Sequence, residues 1–187
     1  MSLLRVRSAS LVIALCLTPM ASSCAGSTEK PASSSEQFGD AETSRVKSYD
    51  SLSELGRDAT IVVVGGQEGG LRVNPYYGDK TTPFAILDLR VDRVVKGKVE
   101  AGGVVQVSVE AGLDSEGKIA SDKLSADEQY LLYLTPQGPR SPDSYTIVGY
   151  VAGAFVENKD GSFGRVDSES PGLPERVTYD EVVAAEN

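Results

Sequence analysis

Apolar and charged side chains alternate strictly along residues 87–92, LDLRVD. Leu87, Leu89 and Val91 fall on one side, which is the two-residue period of a strand with one face in a core. Residues 105–109, VQVSV, repeat the alternation. A chain with this pattern buries its apolar residues by pairing strands, so we predict a mainly β protein.

Other stretches predict further strands. Residues 61–64, IVVV, form a continuous β-branched run that Gly65 and Gly66 close, which indicates a strand buried on both faces. Residues 130–134, YLLYL, predict another mostly buried strand. Residues 145–157 are long enough for one bent strand or two, and Asp160-Gly161 predicts a hairpin turn after them. Five or six strands with little helix between them favour a small antiparallel barrel of the OB-like type.

Two short helices and one bulge complete the predicted fold. Ser51 to Glu54 has the spacing of a capping box and predicts a short helix before the first strand. Thr178 to Glu181 repeats that spacing and predicts a short C-terminal helix. The alternation changes phase at residues 94–95, which indicates a β-bulge or a strand end there.

The first 23 residues have the organisation of a signal peptide. A basic start with Arg5 and Arg7 precedes the apolar run at residues 11–17, which is far shorter than the roughly 20 residues that span a bilayer. The small residues 21–23, ASS, then lead to Cys24. The sequence therefore predicts a cleaved segment, residues 1–23, with cleavage between Ser23 and Cys24.

The cysteine after the predicted cleavage point has a specific meaning. The stretch MASSC, residues 20–24, resembles a bacterial lipobox, although Ala21 stands where that motif most often has leucine. The resemblance implies a diacylglyceryl group on Cys24, and two acyl chains anchor a protein stably where one does not. The alternative is plain secretion with a free thiol at Cys24. We expect a lipid-anchored protein on the outer face of the cell membrane.

Composition limits what the mature chain can bind. Cleavage removes Arg5 and Arg7 and no acidic residue, so the formal net charge falls from −9 by two to −11. Nucleic-acid affinity depends on Lys and Arg that neutralise phosphates, so no nucleic-acid partner is expected. Residues 24–44 are nearly devoid of aliphatic side chains and are expected to form a disordered tether. Residues 45–187 are predicted to form one domain.

Five stretches carry a resemblance over about residues 49–168. They are SLSEL, IVVVG, LDLRVDRVVKG, LSADEQYLLYL and VAGAFV with the hairpin that follows it. Together they resemble a functionally uncharacterised family of exported bacterial domains, which is similar in pattern to the OB-like barrel of netrin modules and tissue inhibitors of metalloproteases. The resemblance implies a fold. Those inhibitors reach the protease zinc through a free N-terminal cysteine that a disulfide clamps against the barrel. Cys24 would be acylated, unpaired and separated from the barrel by the tether, which excludes that mechanism.

The residues offer little catalytic chemistry. The chain has no histidine, so Ser-His-Asp and Cys-His nucleophilic systems and imidazole metal sites are excluded. The acidic turns at residues 114–117 and 158–161 do not fit a calcium loop, because the first ligand position falls on Gly112 or Val156. We therefore predict no catalytic residues, no metal and no cofactor.

The most suggestive contact residues are Tyr76 and Tyr77, in the long connection after the first strand. In OB-like barrels this connection borders the usual ligand face, and tyrosines give large contact areas with a polar handle. The alternative is that one tyrosine folds back over a barrel end. We expect a non-catalytic binding or adaptor module for a protein or other envelope ligand. A loop-based protease inhibitor and a histidine-free enzyme remain as alternatives.

Overall fold

A computed structural model describes residues 47–78, 83–113, 118–121, 123–138, 143–168 and 170–187, and the side chains of 74–78, 83 and 113 are not part of that description. The predicted signal peptide, the tether and Cys24 lie outside the described residues. None of the helices within the described ranges is long and apolar enough to cross a bilayer.

Two helices and eleven strands are described. The helices are α1 (Leu52–Asp58) and α2 (Tyr179–Glu186). The strands are β1 (Ile61–Gln67), β2 (Arg72–Gly78), β3 (Pro83–Lys96), β4 (Val104–Glu110), β5 (Gly112–Leu113), β6 (Ile119–Ala120), β7 (Gln129–Pro136), β8 (Ser144–Ile147), β9 (Ala154–Glu157), β10 (Phe163–Arg165) and β11 (Arg176–Val177).

Five of the strands close into a barrel in the order β1-β3-β4-β8-β7, with β7 pairing back to β1. Four of the five pairings are antiparallel, and β4 with β8 is parallel. The mainly β fold, with one short helix before the first strand and another at the C-terminal end, is confirmed. The strand order is compatible with an OB-like barrel.

The interior of the barrel is the first apolar core. Alternate residues of the strands point into it, as the alternation at residues 87–92 predicted. Its buried members include Leu87, Leu89, Val91, Val105, Val107, Leu132 and Leu134. Leu124 comes from the connection between β6 and β7 and joins the same core.

A second apolar core lies on the outer face of β1 and β7. Val62, Val64, Leu131 and Tyr133 point away from the barrel into a buried cluster. Residues from α1, α2, β9, β10 and β11 complete it, namely Leu55, Val182, Phe155, Phe163 and Val177. β1 is thus buried on both faces, which confirms the prediction from residues 61–66 and explains why no polar residue interrupts that run.

The β1–β3 seam contains two register shifts. Val62 pairs with Lys96 and Val63 with Val94, so the predicted irregularity at residues 94–95 is a bulge within β3. A second shift separates the pairing of Val64 from that of Gly65. The backbones approach so closely there that a Cβ on Gly65 would lie 2.1 Å from the carbonyl oxygen of Arg90.

The remaining local predictions concern caps and turns. The Ser51 side chain accepts from the amide of Glu54 at the start of α1, and Thr178 and Glu181 form a complete capping box at α2. Residues 145–157 form two strands, β8 and β9, separated by a turn at 148–153. β9 and β10 pair antiparallel around residues 158–162, which confirms the hairpin.

Candidate functional site

The parallel seam of the barrel is short, and it opens at one end. β4 pairs with β3 from Val104 to Glu110, but it pairs with β8 only over residues 106–108. β8 ends at Ile147, and the chain then turns away at residues 148–153. Beyond Ser108, no described strand pairs with this edge of β4. The seam therefore splits where β4 approaches its end.

A pocket with about 30 Å³ of space lies at this split. Its apolar lining comes from Phe84, Val109, Leu124, Ile147 and Val151. Ser108, Glu110, Ser121, Lys123, Thr146 and Tyr150 supply the polar part. A site of this size holds about two water molecules. It is therefore too small for an ordinary small-molecule ligand, and it fits one small side chain of another molecule.

One residue that lines the pocket, Tyr150, has an unusual backbone conformation. Tyr150 has φ 68°, the only described non-glycine residue with a positive φ, and Gly149 before it has φ 65°. A bulky residue in this region costs on the order of 1–3 kcal/mol and persists only where its surroundings hold it. The Tyr150 hydroxyl donates a hydrogen bond to the Glu110 carboxylate. That hydrogen bond joins the turn at residues 148–153 to the end of β4, across the split in the seam.

The floor of the pocket is held by a buried tyrosine. Tyr130 of β7 points into the barrel, and its hydroxyl oxygen accepts from the amide of Ser125 at 2.6 Å. The same hydroxyl donates to Glu128 Oε2 at 2.7 Å. Burial, together with the Glu128 carboxylate, raises the pKa of Tyr130 to about 12. These contacts fix the connection that places Leu124 under the pocket.

A polar bridge holds the seam together beside the pocket. The Gln137 side-chain amide donates to the Ser108 hydroxyl at 2.9 Å, and the Ser144 hydroxyl donates to Gln137 Oε1 at 2.7 Å. The Gln137 backbone amide also donates to the Ser144 carbonyl. Gln137 therefore ties β4 to β8 where their parallel pairing is only three residues long, and it fixes the seam just before the split.

The sequence-predicted contact residues lie elsewhere. Tyr76 and Tyr77 were expected in a loop, but the connection between β1 and β3 contains a strand, β2, and both residues belong to it. β2 pairs with the first part of β3, which converts the connection into a β-arm. Ser23 and Cys24 lie outside the described residues. Contact of Tyr76 and Tyr77 with a partner stays a prediction.

The sequence reasoning missed Glu110 and Tyr150. Gly149 marks a place where the chain can turn, but no sequence pattern indicates that the tyrosine after it also adopts a positive φ. In the sequence pattern, Glu110 has the position of an ordinary outward-facing residue at the end of an alternating strand. Their contact joins residues 40 positions apart in the sequence, and only the closed barrel brings them together.

The described residues offer limited chemistry at this site. They contain no group of three or more Asp, Glu, Cys or His side chains arranged to hold a metal ion. The pocket presents one carboxylate, one ammonium group and three hydroxyl-bearing side chains besides Tyr150 around an apolar floor. Such an arrangement suits recognition of a side chain. No protein-family model matches the chain, and no curated protein matches it significantly.

Proposed function

We propose that the protein is a membrane-anchored extracytoplasmic lipoprotein whose barrel is a non-catalytic binding module for a protein of the cell envelope. The observation that carries the binding role is the pocket at the split seam. Its size and its apolar floor suit a single small aliphatic side chain. A buried anchor in a fitted pocket is how many protein interfaces concentrate their binding energy.

The anchor is proposed from the sequence. MASSC at residues 20–24 supports acylation of Cys24, and the two acyl chains would hold the protein at the outer face of the membrane. Cys24→Ala should move the protein out of the membrane fraction or leave the signal peptide uncleaved. An unmodified wild-type mass, with the same fractionation for the variant, would contradict the anchor.

The proposed kinship with netrin and tissue-inhibitor barrels is architectural only. The OB-like strand order supports it. The zinc-directed inhibition of those proteins is not proposed, because a diacylglyceryl-modified Cys24 has no thiol left to form the disulfide that clamps the inhibitors' N-terminal cysteine to the barrel, and the mature chain has no second cysteine to pair with it. The binding role rests on the pocket and on the β-arm that carries Tyr76 and Tyr77.

Affinity capture tests the binding role. The full chain, solubilised from membranes in mild detergent, serves as bait, and retained proteins are identified by mass spectrometry. Ser121→Leu should fill the pocket and abolish capture of a stoichiometric partner. Ser168→Leu adds the same apolar group at an exposed position that does not line the pocket and should leave capture unchanged.

The same capture separates the two candidate surfaces. Tyr76→Ala combined with Tyr77→Ala should weaken partner binding with little change in melting temperature if the β-arm takes part in binding. A large loss of stability would instead assign these tyrosines to packing within the domain. Retention of the partner by both Ser121→Leu and the tyrosine double variant would refute the proposed binding surfaces.

A further inference from the structure

The first described residues of the domain pack against the turn that forms the pocket wall. Tyr49 is 2% exposed and belongs to the outer apolar core. A Cβ on Gly149 would lie only 2.7 Å from Tyr49 Cε2. Only glycine therefore allows the Tyr49 ring to approach the turn so closely, and the residue after this glycine is Tyr150.

The base of the turn is fixed independently of Tyr49. The Gly153 amide donates to the Val148 carbonyl, and the Tyr133 amide of β7 donates to the Gly153 carbonyl, each at 2.9 Å. The Val148 amide in turn donates to the Tyr133 carbonyl. The apex, Gly149 and Tyr150, holds two consecutive left-handed residues and rests against the Tyr49 ring.

The other end of Tyr49 is attached to α1. Its hydroxyl donates to Asp58 Oδ2 at 3.0 Å, and the Lys47 ammonium contacts the same oxygen at 2.7 Å. The Lys47 ammonium also lies 5.0 Å from the centre of the Tyr49 ring. The Asp58 contact holds the hydroxyl end of the ring, while Gly149 packs against its Cδ2 and Cε2 atoms.

We propose that Tyr49 is a positioning residue for the pocket: its ring supports the Gly149–Tyr150 apex and so keeps the Tyr150 hydroxyl on Glu110. The outer core and the pocket are thereby coupled through one aromatic ring. The support of Tyr150 by Tyr49 does not depend on the proposed function. Only the binding of a partner in the pocket rests on it.

Amide hydrogen exchange on the full chain tests the coupling without any ligand. The Ala152 amide donates to the Gly149 carbonyl at 3.1 Å and so reports on the apex. Tyr49→Ala should lower the protection of this amide by about tenfold or more beyond the change in global stability. Tyr49→Phe keeps the ring and should change its protection by less than about twofold. Leu55→Ala, which opens the same outer core, is the matched control and should alter the protection of this amide only as much as it alters global stability.

Nuclear magnetic resonance of the Tyr150 ring gives a second readout. Its signals should shift in Tyr49→Ala and stay in place in Leu55→Ala. Equal effects of the two alanine variants on the turn would overturn the proposal. If Tyr49→Ala does not fold, Tyr49→Leu keeps most of the apolar volume without the flat ring and takes its place. If a partner is captured but the turn does not respond to Tyr49→Ala, only this coupling is overturned. If the turn responds but no partner is captured, only the proposed function is overturned.

Discussion

Tyr130 and Tyr133 are three residues apart in β7 and point into different cores, and their hydroxyl groups differ in hydrogen bonding. Tyr130 lies in the barrel core and has hydrogen-bond partners at Ser125 and Glu128. Tyr133 lies in the outer core, and its buried hydroxyl has no hydrogen-bond partner among the described residues. Burial, with the Glu186 carboxylate nearby, raises the pKa of Tyr133. Sequence alone could place both side chains in cores, but not their partners.

Substitution by phenylalanine should separate these two tyrosines. Tyr133→Phe removes a buried group without a partner and should leave the free energy of unfolding unchanged or increase it. Tyr130→Phe leaves the Ser125 amide without its acceptor and should cost about 1 kcal/mol or more. Chemical denaturation of both variants measures the difference. A larger loss for Tyr133→Phe would mean that its hydroxyl has an internal partner, such as a bound water.

At the scale of elements, the strands and helices followed from local patterns, whereas their pairings did not. The alternation at 87–92 and the run at 61–66 identified β3 and β1, and the capping spacing identified α1 and α2. The second core could not be predicted, because it forms when elements distant in sequence cover β1 and β7. The parallel seam and its pocket follow from the same long-range closure, so the candidate site was largely beyond sequence reasoning.

The β1–β3 seam should be intolerant of any side chain at Gly65. Gly65→Ala would force a Cβ against the Arg90 carbonyl and should destabilise the protein by more than about 2 kcal/mol. Gly112 has open space around its Cβ position and no positive φ, so Gly112→Ala should stay within about 0.5 kcal/mol of wild type. Thermal unfolding of the two variants measures the contrast. Similar melting temperatures would show that the seam can widen at little cost.

At the scale of the whole molecule, alkaline pH should act on both cores at once. Burial raises the pKa values of Tyr49, Tyr130 and Tyr133 above the ordinary value of about 10. The unfolded chain ionises these phenols near pH 10, while the folded chain keeps them neutral. The stability that these neutral phenols contribute should therefore be fully present below about pH 10 and should decline as pH rises toward 12.

Phenolate absorbance and far-ultraviolet circular dichroism, followed together against pH, measure this decline. Tyr49, Tyr130 and Tyr133 are three of the eight tyrosines of the chain. The buried phenols should ionise only as the secondary structure is lost, in one cooperative step. Ionisation of all eight near pH 10 with unchanged circular dichroism would contradict the burial of the three phenols.

The closure of the barrel between β1 and β7 has a consequence for the order in which the chain can fold. Ile61 pairs with Leu134, 73 positions later in the sequence, so the first strand has no complete set of neighbours until most of the chain is present. Contacts of such long range slow folding, because the loop must close before they contribute. For the export that we propose, this delay would be an advantage: β1 would stay unpaired with β7 during passage across the membrane, and the barrel would close only on the far side.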